Sequence, residues 1–421
     1  MSIQHLRKLL LSKWHHGQQA RRAATIALAL FLAGYLLLGF TTELEQIGRK
    51  PMPDHLIEDF GFYARAWNDA RTTGDPYTVR EIGYAFIYPP PALLIVGLYA
   101  PIASLMPRAA ALITTDVVLL ALTLYLVARR YGYTLEQVWW WFPLAFGFAP
   151  FLELLHLGQI NVITQFGILL MFALEESAPF LGGVGLALGV VTKVTPLAFA
   201  GYLLASRKLR AIAGLAVGLA GLCLLAGLVY GWRPFVTYVD VLKSLLTTFI
   251  VDPNSQSLAA LLQSHGWIGG GSLQAVQRAL TVYMLVVFAA SGCIAYFTRE
   301  REPLFIVLSL GIMLIPNVLW YHHYVFFLLP LFVWMAWRRL HPAVVLWCLI
   351  GLAFIQVDRQ YSFLQSSHGL LTHGFGHASI LLVLGGQVRR AIGLLKTKPD
   401  LRERVSWTQI SRMNTDKTNS V

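Results

Sequence analysis

Asp59 stands in the stretch IEDFGFYARAW, residues 57–67, among Phe60, Phe62, Tyr63 and Trp67. In a helix Asp59 and Tyr63 share one face, while Glu58 is turned about 100° away. A carboxylate at an aromatic edge can have a raised proton affinity and serve as a general base. The plain alternative is a solvated loop acid. Lys193 sits in ALGVVTKVTPLAFAG, with apolar sequence on both sides. A lysine at mid-membrane costs roughly 2.5 kcal/mol or more, so it is a functional candidate, and phosphate is its natural partner. Snorkelling from a helix end is the rival reading, but no end lies within easy reach.

Three further polar clusters interrupt apolar sequence. His156 to Asn161, which contains Gln159, reads as a turn; Glu153 and His156 are spaced as a structural pair. Trp320, Tyr321, His322, His323 and Tyr324 read as an interfacial aromatic belt with buried histidines. Asn254 to Ser257, with Gln256, precedes an apolar stretch that Asn254 or Ser255 would cap. His368, His373 and His377 lie in or beside the expected glycine-containing outer loop 358–376, loop histidines without the neighbouring acids or cysteines of a metal site. No HExxH-type ligand spacing, no Walker A loop and no strand-linked GxGxxG occurs, so neither a metal nor a nucleotide is expected.

The elements that must position these residues are membrane helices. Of 421 residues, 56% are hydrophobic and only 13% charged, against roughly 25% charged in a soluble domain. The fold expected is an all-α polytopic membrane protein. Apolar runs fall near 23–42, 88–106, 109–128, 136–154, 160–175, 180–205, 209–231, 276–297, 303–318, 320–337, 341–357 and 377–395, about twelve spans or half-spans. The net charge of +12 does not point to nucleic acid, because the basic residues cluster at the ends and turns. Residues 1–22 hold five Lys/Arg and no acid, and the stretch from Arg389 holds eight against three acids. Both ends are therefore expected in the cytoplasm, close to anionic lipid. Residues 1–22 read as a cytoplasmic basic terminus, 23–395 as one membrane catalytic domain, and 396–421 as a disordered cytoplasmic tail. The first outer loop, 42–88, carries eight of the 21 acids, and Phe60 to Ala70 reads as a short amphipathic helix on the membrane. Arg129-Arg130 would fall outside by simple counting. The conflict disappears if 89–107 is re-entrant and 180–205 is two half-helices meeting at Lys193. Cys223, Cys293 and Cys348 read as small buried hydrophobes rather than a disulfide framework.

Several blocks, taken in order, resemble glycosyltransferase family 87, polyprenol-phosphate-sugar-dependent membrane enzymes of the GT-C fold. They are Asp59-Phe60 with Tyr63-Ala64, Gly74-Asp75-Pro76-Tyr77, Tyr88-Pro89-Pro90, Gly158-Gln159-Ile160-Asn161, Lys193-Val194-Thr195-Pro196, Ser255-Gln256-Ser257-Leu258 and Trp320-Tyr321-His322. Two features depart from the family pattern. Ser255 stands where Asn is common, with Ser264-His265 in place of an Arg, and the segment from Pro316 to Trp320 is one residue longer.

The resemblance implies inverting transfer of a sugar, mannose in the leading reading, from a polyprenyl-phosphate donor to a lipid or glycan acceptor at the outer face of a bacterial inner membrane. It implies Asp59 as the base in the first outer loop and His322 at the active site. Lys193 would meet the donor phosphate, and Tyr63, Gln159, Asn161, Gln256, Ser257, Trp320 and His323 would line the substrate site. No cofactor is implied. Arabinofuranosyl transfer is one alternative; a transporter or flippase for a lipid-linked or anionic substrate is another, although no internal repeat of the kind common in transporters is evident.

Overall fold

The computed structural model describes residues 25–41, 56–79, 85–248, 255–357 and 365–397. Asn254, most of the first outer loop before Leu56, and both chain ends lie outside them. The described residues form helices joined by short turns, with one isolated bridge between Ser255 and Trp320. Four helices are long and apolar enough to cross a membrane: α4 (Leu105–Arg130), α11 (Leu209–Tyr230), the stretch Gly270–Thr298 that contains α14 (Leu273–Thr298), and Gly369–Leu394 within α18 (Gln365–Thr397).

Other apolar runs are broken, for visible chemical reasons. The run 88–106 contains α3 (Ala92–Val96), entered through Pro89-Pro90-Pro91 and followed by turns to Pro101, and then only the first two residues of α4; it does not form a span. The run 136–154 divides into α5 (Leu135–Val138), α6 (Trp141–Phe146) and the start of α7 (Ala149–Leu157), with Gly147 and Pro150 at the last junction. The run 180–205 is α9 (Pro179–Thr192), a 3-10 turn (Thr195–Ala198) and α10 (Phe199–Ala205). The break falls at Lys193, whose backbone is extended at φ −160°, ψ 127°. Pro196 lacks an N–H and disfavours helix in the residue before it, so the helix cannot run through.

The middle of the chain forms a tight layer. α8 (Asn161–Leu174) and α11 both pack along α9. The contact with α11 depends on a glycine: a Cβ at Gly183 would lie 1.9 Å from the Ala211 carbonyl oxygen. Gly183→Leu is therefore expected to overpack this seam at a cost of about 1–3 kcal/mol, read as a lower thermal midpoint of the purified protein. An unchanged midpoint would mean that α9 and α11 do not approach this closely.

One end of the bundle is basic. There Arg130 pairs with Glu175, Lys208 and Arg301 with Glu176, and Arg390 with Glu300. Arg339 donates to the Tyr131 carbonyl. Arg129-Arg130 thus joins the other basic turns, as the broken-helix reading of 180–205 requires. At the opposite end, α2 (Glu58–Thr72) sits on a separate apolar cluster in which Phe60, Tyr63, Ala66 and Ala70 meet Ile160, Ile163, Val191 and Tyr230. The positions three to four apart make this one helical face.

Two expectations need correction. Of the cysteines only Cys348 is buried; Cys293 is exposed and Cys223 half-buried. Cys223 and Cys293 lie on helices with exposed apolar faces, such as Leu224 and Leu285, so an apolar run does not imply burial. The expected outer loop 358–376 is helical from Gln365 onward, so His373 and His377 are helix residues. Glycines at 374 and 376 do not stop this helix, because α18 is packed along α15 (Glu302–Leu314).

Candidate active site

The Asp59 carboxylate lies in the first turn of α2, partly buried. Gln159 holds it, its Nε2 donating to Asp59 Oδ2. The other end of the same amide, Oε1, accepts hydrogen bonds from Tyr63 Oη at 2.8 Å and Tyr88 Oη at 3.0 Å. Burial raises the pKa of both phenols, so they remain neutral donors and fix which way the amide faces. The two side chains expected on one face of α2 thus converge on a single partner 100 residues away in sequence.

Local chain geometry makes this possible. α7 ends at Gly158, which is left-handed at φ +69° and turns the chain so that Gln159 points back at α2. Ile57, just before α2, is also left-handed at φ 54°, and its N–H donates to the His156 carbonyl at 2.7 Å. A β-branched residue there costs about 1–2 kcal/mol, and such strain is concentrated at functional sites. A Cβ on Gly158 would fall 2.7 Å from the Ile57 Cβ. Gly158→Ala is expected to push α2 away and lower turnover at least roughly tenfold, since small misplacements of reacting groups are costly. Assays of turnover and thermal midpoint on the same preparation would check this; full activity would mean that the Asp59–Gln159 contact is not needed.

The block Gly74-Asp75-Pro76-Tyr77 has a supporting part. Asp75 Oδ1 accepts from the Tyr77 N–H at 3.0 Å, and Tyr77 Oη donates to the Tyr88 carbonyl at 2.8 Å. The Tyr77 hydroxyl therefore holds the backbone of Tyr88, whose own hydroxyl reaches Gln159. Tyr88 was not among the expected site residues; its place just before Pro89-Pro90 was the available signal.

Lys193 reaches the same end of the bundle. α8 begins at Asn161, two residues after Gln159, and one turn later Thr164 Oγ1 shares a hydrogen bond of 2.8 Å with Thr192 Oγ1. Lys193 follows directly, partly exposed, its Nζ 5.4 Å from the Phe326 ring centre. Phe326 belongs to the 3-10 turn Tyr321–Phe327, which also carries His322 and His323. The His322 and His323 rings lie edge to face at 4.5 Å within the 3-10 turn Tyr321–Phe327. That turn packs against both α7 and α8, and Gln165 Nε2 donates to the Val325 carbonyl at 3.4 Å. His323 Nδ1 accepts from the Trp320 N–H at 3.2 Å. Asn161 is fully buried, and its amide atoms have no hydrogen-bond partner among the described residues.

The 255–258 block joins through the backbone. Ser255 bridges to Trp320, and the Gln256 N–H donates to the Leu319 carbonyl at 2.6 Å. The Gln256 carbonyl accepts from His373 Nε2 at 2.7 Å, and its side chain accepts from Tyr324 at 3.4 Å. The helix cap of α13 (Leu258–Ser264) is Ser257, not the expected Asn254 or Ser255. Ser257 is fully buried, with Oγ accepting from the Ala260 N–H. Ser264 and His265, at the position of the family's arginine, both bond back to the Leu261 carbonyl.

The structure thus joins Asp59, Tyr63 and Gln159 directly, and Lys193, His322 and His323 through α7, α8 and the 3-10 turn. Gln256, Ser257 and Trp320 form the wall behind that turn. A carboxylate, a lysine and imidazoles at one end of a lipid-facing bundle can accept a proton and stabilise an anion.

Comparison with known proteins bears on this arrangement. Glycosyltransferase family 87 matches residues 86–320, which includes Gln159, Lys193 and Trp320 but begins after Asp59. A polyprenol-phosphate-mannose-dependent alpha-(1-2)-phosphatidylinositol mannoside mannosyltransferase of Mycobacterium tuberculosis is 26% identical over 339 residues, covering 71% of this chain and 75% of that protein. With the family match extending over more than half of its length, the chain belongs to glycosyltransferase family 87 and is a membrane glycosyltransferase.

Proposed function

We propose that the protein transfers a mannosyl unit, with inversion, from a polyprenyl-phosphate donor to a lipid or glycan acceptor, with Asp59 as the base. The observation that carries this reading is the Asp59 carboxylate gripped by Gln159 at the end of the bundle to which α9 also brings Lys193. A sugar hydroxyl is far too weak an acid to attack as an alkoxide at neutral pH, so its proton must leave as the new bond forms. The acceptor oxygen attacks the anomeric carbon, Asp59 takes the proton, and the bond from that carbon to the phosphate oxygen breaks. The electron pair leaves with the polyprenyl phosphate, which gains charge. Lys193 stabilises that charge, with His322 and His323 beside it. Asn161, Gln159 and Trp320 would bind sugar hydroxyls, and the apolar outer faces of the helices would leave the donor tail in lipid.

The basic turns all gather at the opposite end. By the positive-inside rule this supports a cytoplasmic location for that end and a site at the exterior face of a bacterial inner membrane. The family relationship and the mannose-dependent relative favour mannose as the donor sugar; arabinofuranose is the second donor to try.

Purified protein would be supplied with polyprenyl-phosphate-mannose and a panel of glycolipid and glycan acceptors, and products read by mass spectrometry. Transfer of one hexose to an acceptor is the expected result. Failure with both mannosyl and arabinofuranosyl donors, together with donor movement across proteoliposome membranes, would replace the reading with a transporter.

A further inference from the structure

We propose that a groove at the basic end of the bundle binds the phosphate of an anionic phospholipid. The groove, of about 700 Å³, lies between the end of α16 (Leu328–Trp337), the start of α17 (Pro342–Val357) and the second half of α18. It is remote in the fold from Asp59 and Lys193, and the sugar-transfer reading makes no use of it.

Its chemistry is that of an amphiphile site. Arg338, Arg389 and Arg390 line it together with Trp334, Trp337 and Trp347. Arg390 Nε donates to Glu300 Oε2 at 2.6 Å, which engages one of the three cations. The other two arginines are exposed and have no acid beside them in the lining. Arg390 and Arg338 both lie over the Trp337 ring, at 4.7 and 5.3 Å from its centre, so one ring holds two guanidinium groups at the groove. Arg390 Nη2 is buried and has no hydrogen-bond partner among the described residues. A buried guanidinium donor left over beside two exposed arginines is matched by a phosphate, which accepts several N–H bonds at once.

The remaining wall selects a lipid rather than a free anion. Leu381 and Leu382, about two turns before the arginines, are 53% and 54% exposed on a helix long and apolar enough to cross a membrane. They and the tryptophans offer apolar surface continuous with the bilayer, which inorganic phosphate cannot use. Gly385 and Gly386 keep the floor open: a Cβ at Gly385 meets nothing within 4 Å, and one at Gly386 meets only Arg390 Nη1 at 3.8 Å. Basic pockets between membrane helices on the cytoplasmic side are a known way of holding anionic head groups.

The test uses the delipidated full chain in neutral detergent, titrated with phosphatidylglycerol or phosphatidylcholine and read by native mass spectrometry. Wild type is expected to retain phosphatidylglycerol about tenfold more strongly. The preference should disappear in the Arg338→Gln/Arg389→Gln double variant, and also in Gly386→Leu, which fills the groove with a better helix former. Millimolar inorganic phosphate should leave it unchanged. Equal retention of the two lipids by wild type, or a preference that survives both variants, would overturn the proposal. Displacement by inorganic phosphate would reassign the groove to free anions and equally overturn it.

Discussion

Asp59→Asn is expected to lower sugar transfer by roughly a hundredfold or more, the scale of a missing general base, without a matching loss of fold. The substitution keeps the shape of the side chain. Its carbonyl oxygen can still accept the Gln159 Nε2 hydrogen bond seen in the structure, so α2 keeps its seat on α7. Only the capacity to take a proton is removed. The deficit should appear in kcat rather than in donor KM, because an interaction present only as the proton moves does not hold the ground state. Glu58→Gln is the internal control. Glu58 is next in sequence but about 100° around the helix, and it should keep activity within a few-fold. Equal rates for Asp59→Asn and wild type would retain the enzyme and discard this base. Loss in Glu58→Gln alone would move the role one residue.

Much of this arrangement is legible in the sequence, and the remainder is missing for physical reasons. A single lysine in an apolar run, followed by Thr195-Pro196, announces a break, and α9 does stop there. The spacing of Phe60, Tyr63, Ala66 and Ala70 announces the buried face of α2, and the i, i+4 rule places Asp59 beside Tyr63. Neither rule says what that face will meet. Gln159 becomes the partner only because Gly158 takes a left-handed turn and Ile57 is bent to bond the His156 carbonyl, and periodicity carries no trace of either. Gln356 passed unnoticed for a similar reason. It lies in an apolar run on α17, yet its amide donates to the Tyr35 and Gly147 carbonyls and accepts from the Ala149 N–H. It thereby ties helix α1 (Thr25–Thr41) to the first residue of α7. A buried glutamine is affordable in lipid only when such partners exist, and partners more than 200 residues distant are a property of the fold. Hydropathy also cannot separate a span from a buried half-helix, since both are apolar throughout. That is why 88–106 and 136–154 read as spans and are broken.

Lys193→Met should lower kcat by roughly a hundredfold to a thousandfold, the scale seen when one preorganised charge-stabilising group is removed from a reacting centre. Methionine preserves an unbranched stem over Phe326, and the extended backbone at position 193 suits any residue, so the break in the helix should persist. The donor is a phosphodiester with one negative charge, and the leaving polyprenyl phosphate carries nearly one more. A cation therefore gains most as the bond breaks, and the effect on donor KM should be smaller than that on kcat. Lys193→Arg separates charge from geometry. The guanidinium is as positive but longer and planar, and on a break only one residue from the Thr164–Thr192 hydrogen bond it should recover only part of the rate. Nearly full activity in Lys193→Met would mean that the phosphate is met elsewhere, with His322 and His323 the next candidates. A large rise in KM with unchanged kcat would make Lys193 a binding residue that contributes equally before and during the transfer. The combination with Asp59→Asn is informative as well. If both residues serve one transition state, the double variant should be scarcely slower than the worse single one, as groups acting as a unit are strongly non-additive. Multiplying losses would place the base and the lysine in separate steps.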